Sequence, residues 1–129
     1  MPVPRVVSAS CLAVVVLAGL SVQLVRHRAR ADAAGSVLYA MAACFAISLV
    51  WRGRPLSVAG TAFVACVLVE LAQLTGLPAR LPALRLLLGS GFDARDIGWY
   101  AVGSLVGAGL MVLAHAATQR HSATQRHSA

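Results

Sequence analysis

The sequence contains no lysine and no asparagine, and it sets only four acidic residues against eleven arginines. Charged residues make up 12% of it, about half the share of an ordinary soluble domain. A soluble domain of this size buries only about two-thirds of its surface and needs polar residues to cover the remainder. With 59% hydrophobic residues and a mean hydropathy of +0.79, that cover is missing, which excludes an ordinary soluble fold. The 129 residues also show no linker of useful size, which excludes a multi-domain organisation. The class that remains is a small integral membrane protein.

The missing lysine and asparagine, beside abundant Ala, Val, Leu and Gly, point to a GC-rich coding sequence and hence to a bacterial source. A net charge of +7 invites a nucleic-acid reading, but the arginines stand in twos and threes between apolar runs. They form no basic stripe, and at 5% aromatics there is little to stack on bases, so nucleic acid is not an expected partner. In a membrane protein the same charge faces anionic headgroups. Cysteine is scarce too. Cys11, Cys44 and Cys66 are widely spaced within apolar runs, make no CxxC pair and no Cys/His spacing, and read as small buried hydrophobes. Neither a metal nor a cofactor is expected.

Four runs are long and apolar enough to cross a bilayer, which takes about 20 helical residues. They cover residues 6–25, 33–51, 56–77 and 97–116, and none contains an arginine. Arg26, Arg28, Arg30 and Asp32 follow the first run, Arg52-Gly53-Arg54-Pro55 follows the second, and a Pro-, Gly- and Arg-bearing segment precedes the fourth. Trp51 ends the second run and Trp99-Tyr100 opens the fourth, as interfacial aromatic rings do. Residues 1–116 are therefore read as one all-α transmembrane domain of four helices. The stretch from Pro78 to Arg95 is too interrupted to span and reads as a short interfacial helix before the last span.

Ala31-Asp32-Ala33 has the small-x-small form of a signal cleavage site. Against cleavage, the preceding run exceeds a usual signal core and three arginines separate it from the cut, so the run is expected to stay as a helix. Orientation is not decided by charge: one side would hold Arg5, Arg52, Arg54, Arg120 and Arg126, the other Arg26, Arg28, Arg30, Arg80, Arg85 and Arg95. Residues 117–129 repeat the hexapeptide Ala-Thr-Gln-Arg-His-Ser, from Ala117 and again from Ala123. The repeat is polar and without apolar period, so the tail is expected to be disordered, with His121 and His127 solvated rather than metal-bound.

Glu70 is the most informative residue. It sits about seven positions, or about 10 Å of helix rise, inside the end of the third run. An acid within a span is by default a functional-site hypothesis. Gln73 shares its face at i, i+3, in a stripe with Phe63, Cys66, Leu74 and Leu77. In the fourth run, counting from Asp96 at 100° per residue, Tyr100, Gly103 and Gly107 fall at about 40°, 340° and 20°, on one face. Gly103 and Gly107 form a GxxxG spacing that admits a neighbouring helix, and the two stripes are expected to face each other. Arg85 and Arg95 are the natural counter-charges for Glu70, Asp93 or Asp96.

Glu70-Leu71-x-Gln73, followed by Leu88-Gly89-Ser90-Gly91-Phe92-x-x-x-Asp96-x-x-x-Tyr100-x-x-Gly103-x-x-x-Gly107, resembles the bacterial membrane family known as domain of unknown function 2809. That pattern is also similar to the VanZ-like membrane proteins, with their Glu-x-x-Gln helix and Gly-rich last helix. Gly35-Ser36-Val37-Leu38-Tyr39-Ala40 resembles the family's opening of helix two, with Ser36 in place of an Asp and Tyr39 in place of a Trp. The resemblance covers nearly everything before the tail. It implies a four-helix inner-membrane protein and, for the VanZ-like relatives, an association with glycopeptide resistance, but no established activity.

Two functional expectations follow. In the first, Glu70, Gln73, Arg85, Arg95, Asp96 and Tyr100 line a polar pocket near one interface for an amphiphile such as a lipid headgroup or cell-wall lipid precursor. In the second, Glu70 and Gln73 are hydrogen-bonding glue in a structural or partner subunit, as a homo-oligomer or in a membrane complex. The absence of a nucleophile-base pair, a phosphate loop and a metal constellation argues against an enzyme. Four spans without a clear inverted repeat argue against a transporter.

Overall fold

The computed structural model describes residues 3–24, 29–76, 80–83 and 92–128. Among them the secondary structure is helical, with no strand: α1 (Arg5–Leu24), α2 (Ala29–Val50), α3 (Pro55–Gln73) and α4 (Ala94–His127). All four are long and apolar enough to cross a membrane. The first three have 20, 22 and 19 residues, which at about 1.5 Å per residue matches the hydrocarbon core. Between 11% and 33% of each apolar window is buried within the protein. The rest, including Val6, Leu17, Leu20, Leu68, Leu105 and Leu113, faces outward. An apolar surface of that extent is untenable in water and is the lipid-facing surface of a multi-pass bundle.

Helices α2 and α4 form the centre, with α1 packed on α2 and α3 packed on both. Phe45, Val58, Ala62 and Met111 fill the core where α2, α3 and α4 meet. Cys44 and Cys66 are buried free thiols. α2 and α4 approach each other closely. A Cβ added to Gly103 would clash with the Val37 carbonyl oxygen and lie 2.9 Å from Ala40 Cβ, and one added to Gly107 would lie 3.0 Å from Cys44 Sγ. The GxxxG face thus admits a close neighbour, but the neighbour is α2 and not α3.

The ends of the helices depart from the expected spans. Pro55 opens α3, where its missing N–H costs nothing. The helix stops at Gln73 rather than at Leu77, because Leu74, Thr75 and Gly76 close three-residue turns and Gly76 takes the left-handed φ of +68°. Glu70 consequently lies in the last turn of α3. α4 starts at Ala94, three residues early, and carries on through the duplicated tail to His127. No Gly or Pro follows Gly109, so nothing breaks the helix, and α4 has already met the nucleation cost that a free tail would face. The hydroxyls of Thr118, Ser122, Thr124 and Ser128 turn back onto carbonyls four residues earlier. Most of the segment expected to form an interfacial helix, residues 78–79 and 84–91, lies outside the described residues.

Candidate functional site

The polar site is built at one end of the bundle, where α2 begins, α3 ends and α4 begins. Asp93 is the N-cap of α4, with extended backbone and a side chain that accepts the Arg95 N–H at 2.9 Å. Its own backbone N–H donates to Glu70 Oε1 at 2.7 Å. The other carboxyl oxygen, Oε2, accepts the Tyr100 hydroxyl at 2.9 Å. Glu70 is 1% exposed and Tyr100 6%. A buried carboxyl group needs its oxygens satisfied, and here a phenol and a main-chain amide of the same neighbouring helix do so. Among the described residues Glu70 meets no cation.

Asp96 occupies the third position after the N-cap, within the first turn of α4. Its Oδ1 accepts the Ser36 hydroxyl of α2 at 2.7 Å. Tyr39, one turn further along α2, sets its ring 6.1 Å from that of Tyr100 at an interplanar angle of 49°. Beneath these polar contacts lies an apolar layer of Ala40, Cys66 and Tyr100, flanked by Phe63 and Ala43. The three helices are thus joined by hydrogen bonds at the end and by apolar packing below it.

The structure brings Glu70, Tyr100 and the Asp93 amide together, and places Asp96 against α2 instead of α3. Gln73 is half-buried in the last residue of α3. Arg95 is exposed, and its main-chain N–H is the group that joins the cap. Arg85 lies outside the described residues. Gly103 and Gly107 serve the α2–α4 contact and do not face Glu70. Tyr100, expected at the interface beside Trp99, points inward, while Trp99 is exposed. Ser36 and the Asp93 amide were not among the expected site groups. A serine in an apolar helix and a main-chain N–H carry no sequence signal of their own. Among the described residues no cluster of three or more His, Cys, Asp or Glu side chains is placed to hold a metal.

Chemically, Glu70 is an acceptor with both oxygens engaged, Asp96 is half-buried and accepts from Ser36, and the Arg95 side chain is exposed. Glu70 therefore fixes the geometry of the site, and Arg95 is its most exposed charged group.

A family model described as a protein of unknown function, DUF2809, matches residues 25–104. The match takes in α2, α3 and the first turns of α4, and leaves α1 and the tail outside. No curated protein and no solved structure matches the chain. With well over half of its length matched, and with the whole of the polar site inside the matched segment, the chain belongs to the DUF2809 family.

Proposed function

We propose that this chain is a bacterial inner-membrane protein that holds the polar head of an amphiphile at the α2–α3–α4 end of its bundle. One observation carries the reading: Asp96, a half-buried acid at the start of α4, stands next to the exposed Arg95 on a scaffold that the hydrogen bonds of Glu70 tie together. Intramembrane and near-membrane acids of this kind commonly mark function. Arg95, with Arg85, would hold an anionic group of the ligand, and Asp96 and Gln73 would hydrogen-bond its polar part. A lipid headgroup or a cell-wall lipid precursor fits that chemistry. The second of these rests on the pattern likeness to the VanZ-like proteins, which is an analogy and not a mechanism.

A second reading has its own support. Both oxygens of Glu70 are already engaged within the fold, as hydrogen-bonding glue in a structural or partner subunit would be.

Mass spectrometry of lipids that co-purify with the protein separates the two. In the binding reading one lipid class is enriched over the bulk membrane, is lost in Arg95→Ala, Arg85→Ala and Asp96→Asn, and is kept in Glu70→Gln. Lipid of bulk composition in the parent and in every variant would leave the structural reading.

A further inference from the structure

Two carboxyl groups are positioned to take the same amide. In a capping box, the acid three residues after the N-cap folds back onto the N-cap N–H. Asp96 holds that position relative to Asp93. In this structure, however, the Asp93 amide donates to Glu70 of α3 at 2.7 Å, and Asp96 Oδ1 accepts from Ser36 of α2 at 2.7 Å. Glu70 has taken over the cap's bond from another helix, and Asp96 is turned toward a third.

We propose that these two inter-helix hydrogen bonds form one coupled lock. While Glu70 holds the Asp93 amide, Asp96 serves Ser36, and α2 and α3 are both tied to the start of α4. When Glu70 leaves the amide, Asp96 folds back onto it and gives up Ser36, so both ties are lost together. Tyr100 is the positioning residue, because its hydroxyl fixes the second oxygen of Glu70 at 2.9 Å and so decides which acid reaches the amide.

The released partners have places to go. Hydroxyls in this chain repeatedly turn onto the carbonyl four residues earlier, as Ser10 does to Val6, Ser21 to Leu17 and Thr61 to Ser57. Ser36 has the same option within α2, so releasing Asp96 leaves no stranded donor. The Asp93 amide, at the positive end of the α4 dipole, is served by a carboxyl group in either state. The Asp93 amide, Asp96 and the Ser36 hydroxyl thus keep partners in both arrangements, while Glu70 Oε1 gives up its donor in the second, which makes the locked arrangement the favoured one. The lock involves no ligand and stands apart from the binding reading above.

Amide-resolved hydrogen exchange of the full chain in lipid nanodiscs tests it. Glu70→Met with Tyr100→Phe removes the α3 acceptor without stranding the phenol. The Asp93 amide should stay protected in that double variant, because Asp96 takes it. Adding Asp96→Ala should speed its exchange on the order of tenfold, the factor of one lost hydrogen bond. Ser36→Ala should lower the unfolding midpoint of the parent and leave that of the double variant unchanged. Fast exchange as soon as Glu70 is removed, with the cost of Ser36→Ala undiminished, overturns the lock. Tyr100→Phe alone provides a second arm that keeps the buried carboxyl group and nearly all of the packing. In it the loss caused by Ser36→Ala should shrink by about half or more if the two bonds are coupled, and an unchanged loss refutes the coupling whether or not the double variant folds.

Discussion

Tyr100 touches both of its neighbours at once: its hydroxyl donates to Glu70 of α3 at 2.9 Å while its ring lies 6.1 Å from that of Tyr39 on α2. One side chain of α4 therefore reports on the seating of two helices. The polar half of this arrangement is buried, so its groups cannot turn to water when a partner is removed.

Substitutions at Glu70 should rank by what they strand. Glu70→Ala leaves the buried Tyr100 hydroxyl without its acceptor, at about 1–3 kcal/mol before any cavity cost, and as Asp96 takes the Asp93 N–H it gives up the Ser36 bond as well. Glu70→Gln keeps an acceptor and the shape, and should cost about 1 kcal/mol. Tyr100→Phe loses one hydrogen bond, worth about 0.6 kcal/mol between membrane helices. Denaturation of the protein in mixed micelles gives the order directly. Equal losses for Glu70→Ala and Glu70→Gln would show that packing, and not hydrogen bonding, is what Glu70 contributes.

The glycines of α4 should separate in the same assay according to the room beside each. Gly103→Ala puts a methyl group against the Val37 carbonyl oxygen, a backbone atom that cannot swing away, and should cost about 1–3 kcal/mol or more. Gly107→Ala meets the Cys44 side chain at 3.0 Å and should cost less. Gly109 has nothing within 4 Å, so Gly109→Ala should be neutral or should gain up to about 1 kcal/mol of helix propensity. A Gly103→Ala protein as stable as Gly109→Ala would contradict the close α2–α4 contact.

What could be read from the sequence divides along physical lines. Four spans were legible because twenty apolar residues carry a large, additive transfer energy that survives any detail of packing. Glu70, Tyr100 and Asp96 were legible as site groups for the same reason in reverse, since polar groups near lipid stand out. Which groups pair was not legible. Asp96 and Glu70 were expected against one interface, yet Ser36 draws Asp96 to α2, and a main-chain amide, invisible as a residue type, draws Glu70 to the cap of α4. The end of α3 was misread by four residues because hydropathy runs on through Leu74 and Leu77, while the backbone is turned by Gly76. The tail was misread because its lack of an apolar period says nothing about a helix that is already running when the repeat begins.

The topology and the tail can be checked together in cells. Reporter fusions at Gly53, in the joint between α2 and α3, and after the tail should report the same compartment, since two spans separate them. Truncation after Ala117 should leave expression and thermal stability in detergent unchanged, because Thr118 through Ser128 are exposed and their hydrogen bonds lie within α4. A large loss of stability would mean that the repeat docks on the bundle.

The Ser36–Asp96 contact admits a test by exchange of partners. Ser36→Asp replaces a hydroxyl donor with an acceptor and brings two carboxyl groups to hydrogen-bonding distance, where like charges repel across a partly buried contact. That variant should be less stable than Ser36→Ala, which only loses the bond, a net cost of about 1 kcal/mol. Asp96→Ser alone should cost little, because a hydroxyl can still pair with Ser36. Combining Ser36→Asp with Asp96→Ser swaps donor and acceptor across the same pair of helices and removes the repulsion, so the double variant should recover most of what Ser36→Asp loses. The recovery, read as non-additivity of the unfolding free energies, has a definite sign only if the two side chains touch. Strict additivity of the two substitutions would place Ser36 and Asp96 apart in the folded protein and remove the hydrogen bond that ties α2 to the start of α4.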